Sequence, residues 1–269
     1  MIFTKKSAII TTLVLAGWYV FGLFVTNALI TSGEVAQNDF KNYNVIFLIN
    51  LPYILGAVVA FIGRTRISKD SSVGKALLAL GLTCASLAMG FVTWFYFETI
   101  LQIEIPYPSL ADIFFILYIP LVIYASIHLL KIFTLGLRKT SIVQALILGL
   151  ISGFLLFKLA GLEFPTISLD SPLTTSLFDF LYAFADAILI ALAVVILRLS
   201  GGKMTGGLLF LVLALVSMVA SDLVFSARVD QGIYYTGDIG DALFTLTGCL
   251  FALSVYKIAL NFSPKNEIY

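Results

Sequence analysis

A chain of 269 residues that is 60% hydrophobic and 12% charged cannot be an ordinary soluble protein, because soluble domains carry roughly a quarter charged residues. Its mean hydropathy of +1.05 makes lipid the solvent against which the apolar runs are read. The net charge of +1 means little until it is sorted by membrane side, since the placement of Lys and Arg sets topology.

Spanning a hydrocarbon core of roughly 30 Å takes about 20 helical residues, and eight segments reach that length between polar or Gly/Pro breaks. In chain order they are Ser7 to Ile30, Asn44 to Ile62, Lys75 to Leu101, Leu110 to Phe133, Ile142 to Gly161, Leu177 to Leu199, Gly206 to Arg228 and Gly240 to Phe262. The expected fold is an all-α integral membrane protein, a single bundle of eight transmembrane helices over residues 1–269. The first run follows Lys5 and Lys6 as a signal peptide would, but it exceeds the roughly 7–15 residues of such an apolar region. Connections are short and the tail runs only from Ser263 to Tyr269, so any chemistry belongs within the bundle or on its rims.

Thirteen of the 16 basic residues fall on one side: Lys5, Lys6, Arg64, Arg66, Lys69, Lys75, Lys131, Arg138, Lys139, Arg198, Lys203, Lys257 and Lys265. Lys41, Lys158 and Arg228 fall in the other half. The positive-inside rule therefore predicts cytoplasmic termini in a cell membrane. Acids sort the opposite way, with only Asp70 and Glu267 on the basic side, so the outer face is anionic.

The helices that run inward from the outer face share a register. Ser109-Leu-Ala-Asp112-Ile-Phe-Phe, Ser176-Leu-Phe-Asp179-Phe-Leu-Tyr and Asp238-Ile-Gly-Asp241-Ala-Leu-Phe align with one another, and Asn44-Val-Ile-Phe aligns with them. Pro52 and Pro120 each follow the polar residue by eight positions. This pattern predicts four copies of one helical hairpin inserted the same way up. Asp112, Asp179 and Asp241 then occupy helix starts, where a carboxylate satisfies orphan N–H groups and the positive end of the helix dipole. Capping is the plainer role and ligand contact the sharper one. Pro52 and Pro120 would each free a carbonyl, giving either a packing kink or an acceptor.

Ionisable groups inside the hydrocarbon cost about 2.5–3.5 kcal/mol each on insertion scales and so face the bundle interior. Asp186 lies about 10 Å beyond Asp179 and Asp222 about 9 Å below Arg228, at a rise of about 1.5 Å per residue. Lys158 and Glu98 are nearer the outer rim. The economical arrangement sets Lys158 against Asp186 or Asp222, as a structural ion pair or as a site for something arriving from outside. Asn50, Tyr118, Tyr182, Thr245 and Thr247 are candidates to line the same outer-half cavity.

Other chemistries find little support. Cys84 and Cys249 sit in apolar runs as packing thiols rather than a disulfide framework. His128, the one histidine, has no Cys or carboxylate at metal spacing, and it lies at the opposite end from the deep acids, which argues against a Ser-His-Asp hydrolase. No lysine lies mid-span in the last helix, no phosphate-binding glycine loop occurs, and Asn261-Phe-Ser263 on the basic side is an accidental sequon. No cofactor, metal or nucleic-acid partner is expected.

The stretch Pro106-Tyr-Pro-Ser-Leu-Ala-Asp112-Ile-Phe-Phe-Ile-Leu-Tyr118-Ile-Pro120-Leu resembles the multi-span membrane sensor regions at the N-termini of many bacterial diguanylate cyclases and phosphodiesterases and some prokaryotic histidine kinases. Asp222-Leu-Val-Phe followed by Gly232-Ile-Tyr234-Tyr-Thr-Gly237-Asp238-Ile-Gly-Asp241 is similar to a second signature of that group. The resemblance covers spans three to eight and implies a sensory or signal-relay bundle whose ligand is generally unassigned, and the expected role is non-enzymatic. The chain ends at Tyr269 without a GGDEF, EAL or kinase module, so the expected readout is a separate cytoplasmic partner, with membrane lipid and a small ligand from the outer side as the other partners. The competing expectation is a small-solute transporter, since parallel repeats and paired proline hinges are transporter devices.

Overall fold

The computed structural model describes residues 44–133, 139–159, 173–200 and 206–262, together with Ile10, Thr11, Val14, Leu15, Gly17, Trp18, Phe21, Ala28 and Ser32. The predicted span Ser7 to Ile30 is thus mostly outside the described residues, as is the tail after Phe262. Among the described residues all regular structure is helical. Helix α1 runs Asn44–Thr65, α2 Ser72–Phe95 with a π-helical continuation at Tyr96–Leu101, α3 Leu110–Phe133, α4 Lys139–Leu159, α5 Leu173–Leu199, α6 Gly206–Asp230 and α7 Ile239–Phe262.

Among the described residues, five segments are long and apolar enough to cross a membrane: Ser72–Leu101, Leu110–Ile132, Leu173–Leu199, Gly206–Asp230 and Ile239–Phe262. Helix α1 contributes a shorter apolar stretch, Ile49–Thr65. The chain is a multi-pass membrane protein, and five of the eight predicted spans are matched by such helices among the described residues. Helix form follows from the solvent, because in lipid every backbone N–H and C=O must be satisfied within its own segment. Composition decides which sides face out. Along α3, Ile113, Leu117, Tyr124 and Ile127 are exposed at helical spacing, while Tyr118, Val122, Ala125 and Leu129 are buried. A helix apolar on both faces is what a bundle in lipid requires.

The ends are set by local chemistry. The Ser71 hydroxyl caps α2 by accepting from the Gly74 N–H at 3.0 Å. In α3 the Ser109 hydroxyl accepts from the Ala111 N–H at 3.1 Å, while the Asp112 carboxylate accepts from the Ser109 N–H at 2.6 Å, a reciprocal capping box. Gln102, with φ 54°, takes the left-handed conformation that turns the chain out of the π-helical segment.

Helices α1, α2, α3, α5, α6 and α7 pack each on the next, and α7 closes back on α1. Helix α4 stands outside this ring, packed on α5. Lipid supplies no hydrophobic drive between helices, so small residues and hydroxyl bonds hold them. A Cβ on Gly149 would run into the Ala191 backbone, so that glycine permits the close approach of α4 to α5. Between helices, Ser86 donates to the Phe114 carbonyl at 2.7 Å, Ser254 to the Gly207 carbonyl at 2.8 Å, and Ser217 and Thr247 share a bond of 2.7 Å. Leu15 of the first predicted span is buried among Cys249, Ala252 and Leu253 of α7.

Two corrections to the sequence reading arise here. Helix α5 starts at Leu173 rather than Leu177, so Asp179 falls in its second turn and is not a first-turn capping residue. Helix α2 starts at Ser72 rather than Lys75, because the cap at Ser71 recruits one more turn. Pro52 and Pro120 both lie inside continuous helices, with Pro52 buried and Pro120 on the exposed side of α3.

Candidate functional site

The starts of α3, α5 and α7 and the ends of α2, α4 and α6 form an acidic end of the bundle. Its rim is a set of tyrosine–aspartate bonds. Tyr182 of α5 donates to Asp112 at 2.6 Å, and Tyr107, in the loop before α3, donates to Asp179 of α5 at 2.5 Å. The two bonds run in opposite directions between the same pair of helix starts, so they clamp α3 to α5. On the α7 side, Asp241 accepts from the Gly237 N–H at 2.6 Å and from the Tyr234 hydroxyl at 3.2 Å. Asp238 caps α7 through the Ile239 N–H and forms an ion pair with Arg228 at the end of α6.

The rim phenols stay donors. Burial and the Asp179 carboxylate push the Tyr107 hydroxyl above its ordinary range, and burial with Asp241 and Glu98 nearby does the same for Tyr234. A carboxylate beside a phenol stabilises the protonated phenol, which is the form that can donate. Glu98, presented by the π-helical turn of α2, is buried and stands near Tyr234. Such widened turns are frequent at functional positions.

One turn below Tyr182 on the same side of α5 is Asp186. Its carboxyl is within hydrogen-bonding reach of Asp222 on α6. Tyr118 of α3 stands close to both acids, and Tyr182 and Tyr53 stand close to Asp222. Tyr118 and Tyr53 are almost wholly buried, and Tyr53 also donates to the Phe244 carbonyl at 2.9 Å. Gly248 admits the Tyr53 ring, which lies 2.9 Å from where a Cβ would stand. Asn50, one turn before Tyr53 on α1, is buried with its Oδ1 unpartnered.

The structure thus joins Asp186 to Asp222 and leaves Lys158 apart. Lys158 is exposed at the end of α4, and the ion pair at the acidic rim is instead Arg228 with Asp238. The expected ion pair of Lys158 with Asp186 or Asp222 is therefore not formed. Its physical reason is position: α4 packs on the outside of α5, whereas Asp186 faces α6 inside the ring. Thr245 bonds back to the Asp241 carbonyl at 3.0 Å, and Thr247 joins Ser217 and Ser221 between α6 and α7.

Sequence reasoning did not single out Tyr53, Tyr107 or the Arg228–Asp238 pair. Only Tyr182 carried a local signal, three residues after one acid and four before another. Two carboxyls in contact inside an apolar bundle repel one another when both are charged, which makes this pair the least ordinary polar feature of the interior. Compared with known proteins, the chain matches no family model, no curated protein and no solved structure.

Proposed function

We propose that this multi-pass membrane protein is a non-enzymatic sensory bundle whose acidic end registers a proton or a small monovalent cation at Asp186 and Asp222. The observation that carries this reading is the meeting of two carboxyls, inside the ring, with three tyrosine phenols around them and no basic side chain beside them among the described residues. In this reading all eight predicted segments span, in four hairpins. The basic end faces the cytoplasm by the positive-inside rule, and the acidic end faces outward. Filling the site would change the spacing of α5 and α6, and the loops of the basic end would pass that change to a cytoplasmic partner. The resemblance to membrane sensor regions supports the same role.

Trp94 supplies a reporter, because its ring lies 5.9 Å from Phe225, three residues after Asp222 on α6. With Trp18→Phe removing the other tryptophan, emission should change when protein in liposomes is titrated with acid or with sodium. Asp186→Asn and Asp222→Asn should each abolish the change while the protein stays folded. A titration unaltered in both variants overturns the reading. If cation or solute flux appears in the same liposomes and vanishes with Asp186→Asn, the pair serves a transporter instead.

A further inference from the structure

At the opposite end of the bundle the charges are arranged quite differently. His128 lies in the next-to-last turn of α3, about nine-tenths buried, and its Nδ1 has no hydrogen-bond partner. Tyr124, one turn earlier, sets its ring 4.6 Å from the imidazole. The charged groups nearest the imidazole are both cations: Lys131, three residues on along α3, and Lys75, in the first turn of α2. Helices α2 and α3 are closely packed, so the two lysines approach the histidine from two helices. Among the described residues the only acid at this end is Asp70, exposed in the α1–α2 loop. A buried ring nitrogen without a partner, flanked by two cations and no carboxylate, lacks its counter-charge within the protein.

We infer that His128, Lys75 and Lys131 bind a phosphate group at the basic end of the bundle. An oxyanion would accept from the two ammonium groups and from the imidazole N–H, satisfying all three at once. Basic pockets between membrane helices hold lipid headgroups in this way, and free phosphate offers the same chemistry. The inference is independent of the carboxyl pair at the other end.

The test uses the whole protein in nanodiscs of phosphatidylcholine, with short-chain phosphatidic acid added in one arm and sodium phosphate in the other. Binding is read by native mass spectrometry and by thermal stability. Lys131 is exposed, so Lys131→Gln is the variant that leaves packing alone. It should weaken binding about fivefold, with Lys75→Gln weakening it by a similar factor. Lys69→Gln, the same charge change in the α1–α2 loop, should leave binding within about twofold of wild type. Binding of lipid alone identifies a headgroup site, and equal binding of sodium phosphate identifies the free anion. Equal losses in Lys131→Gln and Lys69→Gln, or no binding of either probe, would overturn the inference.

Discussion

The two ends of the bundle solve opposite electrostatic problems. At the acidic end four rim carboxylates find donors within the chain: Asp112 takes Tyr182 and Ser109, Asp179 takes Tyr107, Asp241 takes Tyr234 and Gly237, and Asp238 takes Arg228. At the basic end His128 Nδ1 and Arg64 Nε are buried without a partner, and among the described residues the lysines there meet one acid, the exposed Asp70. These four carboxylates are tied by bonds within the chain, whereas the basic cluster around His128 has no carboxylate beside it among the described residues. Buried polar groups are almost always satisfied, so the contrast separates a rim built for rigidity from one built to meet a partner. Below the acidic rim, at Asp186 and Asp222, carboxyl meets carboxyl.

The contrast is broken most strongly at the Arg228–Asp238 pair. Asp238 is 3% exposed and also caps α7, so Arg228→Met leaves a buried carboxylate unpaired. Removing one partner of a buried pair costs about 3–5 kcal/mol, and the partial exposure of Arg228 places the loss near the lower bound. Thermal unfolding in detergent should show it, and Arg228→Met with Asp238→Asn should recover part of what Arg228→Met alone loses. Additive losses would show that the two side chains do not depend on each other.

Tyr182→Phe comes next. It strips a donor from buried Asp112 but leaves the bonds from Ser109, so the cost should be about 1–3 kcal/mol for an under-satisfied buried acceptor. A loss equal to that of Tyr107→Phe would contradict the burial difference, because Tyr107 is about half exposed and its bond should contribute less than about 1 kcal/mol.

Tyr107 adds a dependence on pH. Burial and the bond to Asp179 raise its phenol above the ordinary value, so the folded state holds this proton after the unfolded chain has lost its own. The stabilisation is complete below about pH 10 and declines as pH rises from there towards the folded value. The stability gap between wild type and Tyr107→Phe should therefore narrow in strong alkali. A gap that widens above that pH would reverse the assignment of donor and acceptor.

How much of this was readable beforehand depends on the range of each interaction. Asp112 and Asp241 were legible as first-turn acids because capping is decided within four residues. The depths of Asp186 and Asp222 followed from helix rise alone. Their contact did not, since both faces of a membrane helix are apolar and hydropathy leaves helix rotation open. Tyr107 reaches Asp179 across 72 residues, and Lys75 approaches His128 from another helix, so neither left a mark in local spacing. The register that aligned Asp179 with Asp112 and Asp241 was real in the letters, yet α5 begins earlier and takes that acid out of its first turn.

The smallest expected effect sharpens the comparison further. Economy of charge set Lys158 against Asp186 or Asp222, but economy says nothing about which side of α5 looks into the ring. If Lys158 neutralised the deep acids, Lys158→Met would strand them and cost about 3–5 kcal/mol. Exposed at the end of an outer helix, it should instead cost within about 0.5 kcal/mol, as surface substitutions do. Its methylene stem can lie along apolar surface with the ammonium at the interface, and Met keeps that stem. Measured beside Asp186→Asn, the substitution also tests the carboxyl pair: an unchanged response to acid or sodium in Lys158→Met means that the acids work without it. A large loss of stability, restored by adding Asp186→Asn, would return Lys158 to the interior and remove the ground for a proton or cation between the two carboxyls.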